Sequence, residues 1–106
     1  MNEADFMRQC MIEASKLGAT MWRNNQGAYK HPKGYYIKYG VCNPGGSDLI
    51  GIYRSKFTAI ETKTLKGKAT LEQINFIKFI HANGGLAGIA RKIEDVKKIL
   101  DGEMPI

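Results

Sequence analysis

The sequence has few of the features that mark disulfide-rich, zinc-binding or membrane proteins. Its two cysteines, Cys10 and Cys42, are too few for a disulfide scaffold and lack the Cys-x-x-Cys spacing of zinc and redox sites. No apolar run approaches the roughly 20 residues that cross a membrane. The N-terminal segment carries Glu3, Asp5 and Glu13, unlike the uncharged stretch of a secretory signal. We therefore expect free thiols, no membrane association and a cytoplasmic location.

Acidic residues are outnumbered by basic ones. The 106 residues include 16 Lys and Arg against 10 Asp and Glu, which gives a formal net charge of +6. The hydrophobic content of 43% is enough for one core, and two domains of half this length would each bury too little surface. We expect a single domain over residues 1–106, with a charge that favours a polyanionic partner.

Hydrophobic periodicity and turn residues predict an alternation of helices and strands. Apolar spacing and capping signals predict helices over residues 5–17, Leu71–Ala82 and 93–100. Short β-rich runs predict strands over Thr20–Arg23, 35–39, 48–53, 57–63 and Leu86–Ala90. This order is typical of an α/β fold in which one mixed central β-sheet has helices packed on both faces.

Two carboxylates are predicted to face each other at one end of a β-hairpin. A turn centred on Arg54 and Ser55 gives a register in which Asp48 lies opposite Glu61. At an effective dielectric of about 20, unit charges about 5 Å apart repel by roughly 3 kcal/mol, and a divalent cation would reverse the sign. Lys63 points to the same face as Glu61 because side chains alternate along a strand. The pattern favours a Mg²⁺ or Mn²⁺ site suited to phosphate chemistry, with an ammonium group beside it.

An alternative interpretation treats these residues as ordinary solvated charges. Asp48 would then cap a turn, and Glu61 and Lys63 would lie on an exposed strand end.

Lys66 and Lys68 follow closely and add positive charge next to the acidic pair. This juxtaposition favours a site for nucleic-acid phosphates, which the two lysines would contact.

Five segments together carry a more specific pattern. They are 22–25 (WRNN), 45–51 (GGSDLIG), 60–63 (IETK), 67–73 (GKATLEQ) and 84–91 (GGLAGIAR). In this order they resemble the VRR-NUC family, the virus-type replication-repair nucleases of the PD-(D/E)xK superfamily, over residues 3 to 96. The sequence departs from the family at Ser47, which stands where the motif has proline, a position that supplies no ligand.

The resemblance implies a metal-dependent nuclease on the α-β-β-β-α-β core shared with Holliday-junction resolvases and many restriction enzymes. By position, Asp48, Glu61 and the Thr62 carbonyl would bind Mg²⁺ or Mn²⁺, and Lys63 would be the catalytic lysine. It further implies branched DNA, such as a four-way junction, as the preferred substrate. It also implies a homodimer that acts in DNA repair in a bacterial or phage-infected cell.

The resemblance also points to two residues whose roles stay open. The family has a glutamate on its first helix: Glu3 fits its spacing before Gly18, whereas Glu13 lies within the apolar stripe of that helix. We favour Glu3 for this position. Gln73 matches a glutamine that the family places near the catalytic lysine, but it also fits a capping box with Thr70.

Three further segments allow two interpretations each. Arg23, Asn24 and Asn25 lie in a family motif and are expected to approach the DNA backbone, unless the asparagines serve to form a turn. The apolar arc of the helix Leu71–Ala82 is wide, which fits a dimer surface or a deeply buried helix. An aromatic and basic segment is expected either to contact nucleic acid or to pack in the core. Its residues are Tyr35, Tyr36 and Tyr39 with Lys30, Lys33 and Lys38.

The leading hypothesis from the sequence is a Mg²⁺- or Mn²⁺-dependent endonuclease that hydrolyses branched or double-stranded DNA. One alternative is a basic DNA-binding module without catalysis. A structural or inhibitory partner protein with no metal site is the other.

Overall fold

Three helices and six strands form within residues 2–106, the part of the chain that the computed structural model describes. In chain order they are α1 Glu3–Lys16, β1 Thr20–Arg23, β2 Gly27–Lys30, β3 Tyr36–Tyr39, β4 Leu49–Tyr53, β5 Lys56–Thr62, α2 Leu71–Ala82, β6 Leu86–Ala90 and α3 Glu94–Leu100. Within this part of the chain, every helix is too short or too polar to span a membrane.

The strands β1, β4, β5 and β6 form one mixed sheet in that order. β4 pairs antiparallel with both β1 and β5, whereas β5 and β6 are parallel. A parallel pair needs a crossover connection, which α2 supplies. α1 and α3 pack on one face through Cys10, Val96 and Ile99, and α2 packs on the other through Phe76 and Ile77. The predicted mixed sheet with helices on both faces is confirmed.

The β4–β5 hairpin has the register that the sequence predicts. Arg54 and Ser55 form its two-residue turn with φ of 49° and 67°, and a tight hairpin turn with both values positive matches the twist of the strands. The pairing continues in unbroken register to Leu49 opposite Ile60. The next residue on each side is one of the two predicted carboxylates.

A second, two-stranded sheet lies outside the main sheet. β2 and β3 pair antiparallel, with Gly27 opposite Tyr39 and Lys30 opposite Tyr36. We call residues 27–39 the ribbon. The sequence gives no sign of β2, since its four residues lack apolar alternation, and β3 begins one residue later than predicted. The interpretation that this segment packs in the core is wrong, because its tyrosines are exposed.

Helix starts follow their capping groups. The Asp5 backbone N–H donates to Asn2 Oδ1 at 2.8 Å, which explains why α1 begins two residues before its predicted start. At α2, the Gln73 N–H donates to the Thr70 hydroxyl and the Thr70 N–H donates to Gln73 Oε1, so the predicted capping box is confirmed. α3 begins at Glu94, one residue later than predicted.

Part of the apolar arc of α2 faces solvent. Phe76 and Ile77 are buried, whereas Leu71 and Phe79 are 69% and 63% exposed. The interpretation of α2 as a deeply buried helix is therefore wrong. A dimer surface on α2 stays a prediction.

The two thiols are expected to differ in reactivity. Both cysteines are free, as predicted, with Cys10 fully buried and Cys42 exposed. Burial, and then the charges of Asp95 and Glu13, raise the pKa of the Cys10 thiol to about 12. At about pH 8 a disulfide reagent should therefore modify one thiol in the folded protein and two in denaturant. Rapid reaction of two equivalents without denaturant would contradict the packing of Cys10.

Candidate metal and nucleic-acid site

The two predicted carboxylates lie at the open end of the β4–β5 hairpin, each against the opposite strand. The Asp48 backbone N–H donates to Glu61 Oε1 at 3.2 Å. Asp48 Oδ2 accepts hydrogen bonds from the Thr62 backbone N–H at 3.0 Å and from the Thr62 hydroxyl at 2.7 Å. The hairpin register therefore brings both acidic side chains to one place.

Lys63 reaches the same place, as strand alternation predicts. Its Nζ lies 3.1 Å from Glu61 Oε2, and the Lys63 side chain is 20% exposed where that of Glu61 is 3% exposed. The Lys63 backbone N–H donates to the Ala90 carbonyl at 3.0 Å, which extends the pairing of β5 with β6 beyond the end of β5. The lysine is thus fixed through its backbone, and its ammonium group pairs with Glu61 at the wall of a cleft that Asp48 also lines.

Glu61 is an unusual carboxyl group. Burial raises its pKa above the ordinary value, and the charge of Asp48 raises it further, whereas the hydrogen bond and charge of Lys63 lower it. Desolvation and a second acid therefore outweigh the lysine. A cation placed between the two carboxylates would supply the missing positive charge.

The donor set fits Mg²⁺ or Mn²⁺. Both ions prefer oxygen ligands and keep several waters, so two carboxylates and a backbone carbonyl make a sufficient open site. Asp48, Glu61 and Thr62 offer these groups side by side. Over residues 2–106 no three His, Cys, Asp or Glu side chains group closely enough to form a metal site by themselves. Any third ligand at this place would therefore come from backbone or water.

The acidic cluster opens into a cleft of about 590 Å³. Its wall includes Glu3 from the first turn of α1, Gln73 from the start of α2 and Arg91 from the end of β6, together with Asp48, Glu61, Thr62 and Lys63. Of the two candidate glutamates, the structure brings Glu3 to the cleft and not Glu13. Gln73 caps α2 and also lines the cleft that Lys63 lines. Its role beside a catalytic lysine stays a prediction.

Asn24 belongs to the framework behind the site rather than to its surface. The side chain is buried, and its Nδ2 donates to the carbonyls of Val41 at 2.9 Å and Ser47 at 3.1 Å. Its Oδ1 accepts from the Val41 N–H at 2.9 Å. These bonds hold the loop that precedes Asp48, which is a role that neither interpretation of the sequence foresaw. A contact of Asn24 with DNA stays a prediction. The Ser47 hydroxyl, at the position of the family's proline, is buried without a hydrogen-bond partner.

Two further amide side chains hold the same loop. Gln26 Nε2 donates to the Gly46 carbonyl at 2.8 Å. Asn43 Nδ2 donates to the carbonyls of Gly27 and Tyr39, both at 2.8 Å, and thereby ties the loop to the base of the ribbon. Hydrogen bonds to both the main sheet's neighbouring loop and the ribbon therefore hold the segment that positions Asp48.

A second groove adjoins the site on the side of the ribbon. Its volume is about 560 Å³, and the residues that line it are Arg23, Asn24, Asn25, Gln26, Tyr39 and Asp48, with Asn24 almost wholly buried. Arg23 and Asn25 are exposed there, in positions open to a nucleic-acid backbone. Asp48 lines both this groove and the cleft, so the two are joined at the acidic cluster.

Arg91 is a site residue that sequence reasoning missed. Its Nη1 donates to the carbonyls of Thr64 at 2.8 Å and Gly67 at 2.6 Å, which fixes the turn that carries the exposed Lys66 and Lys68. Its position at the end of the segment 84–91 was the available signal. The contact to a turn more than twenty residues away becomes visible only in the fold.

The elements and the site define an α/β protein with an acidic, lysine-bearing cluster at one end of its mixed sheet. Neither a scan against protein-family models nor a search of curated proteins found a match for this chain.

Proposed function

We propose that this protein is a Mg²⁺- or Mn²⁺-dependent endonuclease that hydrolyses phosphodiester bonds of DNA. The observation that carries the proposal is the juxtaposition of the half-buried Asp48 with the buried Glu61, together with Lys63 at 3.1 Å from Glu61. Setting the ribbon aside, the elements α1-β1-β4-β5-α2-β6 follow the order of the PD-(D/E)xK core, which supports membership of the VRR-NUC family.

Each residue of the cluster has a part in this chemistry. Asp48, Glu61 and the Thr62 carbonyl would hold the cation, which when bound supplies Lewis-acid stabilisation of charge on the phosphate. Lys63, held at the wall of the cleft, donates hydrogen bonds to a phosphate oxygen or orients the attacking water. Glu3 faces the cleft from α1 and is suited to accept a proton from water.

Basic residues around the cluster are suited to hold the DNA. Lys66 and Lys68 project from the turn that Arg91 fixes, and Arg23 lies on the other side of Asp48. Contacts of this kind to phosphates are independent of sequence and give steep salt dependence. They favour a nuclease that does not read base sequence. The preference for branched DNA is proposed from the resemblance to the VRR-NUC family. Paired cuts on a symmetric junction would require a two-fold dimer, for which exposed Leu71 and Phe79 offer a surface.

The direct test is incubation of the protein with an end-labelled four-way junction, a linear duplex and single strands of the same sequences. We expect strand cleavage with Mg²⁺ or Mn²⁺ and none with a chelator, with the junction cut fastest. Cleavage that persists in chelator would contradict the proposal, as would intact DNA of every form in the presence of both metals.

A second candidate is a DNA-binding module without catalysis, which the net charge of +6 favours. Such a module would bind DNA with the same salt dependence but would neither cut it nor bind Mn²⁺. Calorimetric titration with Mn²⁺ separates the two, because the nuclease should bind the ion and lose it in Asp48→Asn.

A further inference from the structure

The ribbon has no part in the catalysis proposed above, yet it presents four tyrosines to solvent. Tyr29, Tyr35, Tyr36 and Tyr39 are between 50% and 67% exposed. A two-stranded ribbon is marginally stable by itself, and this one gains little from burying its aromatic residues. Exposed aromatic side chains grouped in this way mark a binding surface.

The register sorts the side chains of the ribbon by face. Residues that are paired or two apart along a strand share a face. One face carries Tyr29, His31, Tyr35, Ile37 and Tyr39. The rings of His31 and Tyr35 stack on it, with centroids 4.4 Å apart and 6° between their planes. The opposite face carries Ala28, Lys30, Tyr36 and Lys38. The ribbon thus has one aromatic face and one basic face.

The charge around the ribbon is of one sign. Between Glu13 and Asp48 the chain has no acidic residue. Over the same stretch it has five basic residues, namely Lys16, Arg23, Lys30, Lys33 and Lys38. This surface complements a polyanion. The exposed rings beside the lysines favour a nucleic acid over an acidic protein, because its bases can stack on them.

Tyr39 connects the ribbon with the acidic cluster. It lines the groove that also contains Arg23 and ends at Asp48, and Asp48 in turn lines the cleft with Lys63. A nucleic-acid strand on the aromatic face would therefore lie beside a groove that reaches Asp48 and includes the basic side chain of Arg23.

We propose that the aromatic face of the ribbon binds unpaired nucleotides next to the cleaved phosphate by stacking their bases on Tyr29 and Tyr39. This rests on the proposed nuclease function and narrows its substrate to DNA that has single-stranded nucleotides beside the cut. Bases within a duplex are covered by their neighbours, whereas every unpaired base offers a face to an aromatic ring. Lys30 and Lys38, on the opposite face, add positive charge that attracts the DNA without touching the stacked bases.

Binding measured in chelator tests the ribbon separately from cleavage. Fluorescence anisotropy is recorded with a labelled oligothymidine and with a duplex of equal length. Tyr29→Leu and Tyr39→Leu should each weaken oligothymidine binding about 5- to 150-fold, since each removes one stacked base, and leave duplex binding within about twofold. Tyr29→Phe and Tyr39→Phe keep the ring and should bind like the unmodified protein. Phe57→Leu, which removes an exposed ring near the β4–β5 turn, is the matched control.

Three results would overturn the role of the ribbon. The first is unchanged oligothymidine binding in both leucine variants, and the second is an equal loss of affinity for single strand and duplex. The third is altered self-association in sedimentation while DNA binding stays intact. That last result would assign the face to a second copy of the chain. If circular dichroism shows that Tyr39→Leu does not fold, Tyr29→Leu decides by the same criteria.

Failure of the nuclease itself is recognised separately. The unmodified protein would leave every DNA intact in Mg²⁺, whatever the leucine variants do to binding.

Discussion

Replacing Lys63 by alanine is expected to slow Mg²⁺-dependent DNA cleavage by about 10²- to 10⁴-fold, the range for loss of a positioned proton-transfer or charge-stabilising group. The ammonium group lies 3.1 Å from Glu61, and the Lys63 side chain is only 20% exposed. A water molecule in its place would lack the positive charge that pairs with Glu61. DNA binding should change far less than the rate, because under the proposed function several other basic residues would contact the DNA backbone. Single-turnover cleavage at saturating protein measures the rate without the binding step.

The matched control for this experiment is Lys56→Ala. Lys56 lies on the same strand at the turn of the hairpin, roughly 23 Å from Lys63 along an extended chain, and is exposed. Its removal lowers the net charge by the same amount and should leave the rate unchanged. Full activity in Lys63→Ala, or equal losses in both variants, would refute a catalytic lysine at this position.

Mn²⁺ is expected to raise the melting temperature of the unmodified protein by about 10 °C or more at roughly one hundred times its dissociation constant. Asp48→Asn should abolish this shift, because it removes a charged ligand from a site with only two carboxylates. Differential scanning calorimetry with and without the ion measures both. Glu103→Gln, which neutralises an exposed acid outside the cleft, should keep the full shift. A shift of equal size in Asp48→Asn would place the ion elsewhere.

Glu61→Gln should separate ion binding from stability. Without metal, the carboxylate form of Glu61 is disfavoured by burial and by Asp48, so a neutral amide should not lower the melting temperature. The glutamine retains an oxygen to accept from the Asp48 N–H. The variant should nevertheless lose the stabilisation by Mn²⁺. A markedly lower melting temperature of Glu61→Gln in chelator would show that the ion pair of Glu61 with Lys63 stabilises the fold more than burial and the repulsion from Asp48 destabilise it.

The acidic cluster was accessible from the sequence because a hairpin obeys simple rules. A two-residue turn at Arg54 and Ser55 fixes every pair that follows, and the alternation of side chains then assigns Lys63 to the face of Glu61. The start of α2 could also be predicted, because Thr70 and Gln73 form a capping box there. These features depend on residues close together in the chain.

Contacts between distant segments were not accessible in this way. Nothing local distinguishes Asn24, which is buried under the loop before Asp48, from its exposed neighbour Asn25. Arg91 acquires its partners only when β6 is placed beside β5. β2 exists as a strand through pairing with β3, and that pairing leaves no hydrophobic pattern to recognise.

The amide side chain of Asn43 gives the two ends of the ribbon different tolerances to change. At the base, it bonds to Gly27 and Tyr39, and the loop that it anchors leads directly to Asp48. At the tip, Pro32, Lys33 and Gly34 are exposed. Insertions at the tip should therefore be accommodated freely, so that the reach of the ribbon is adjustable. Shortening or widening its base would instead move Asp48, and under the proposed function the position of the cut would move with it.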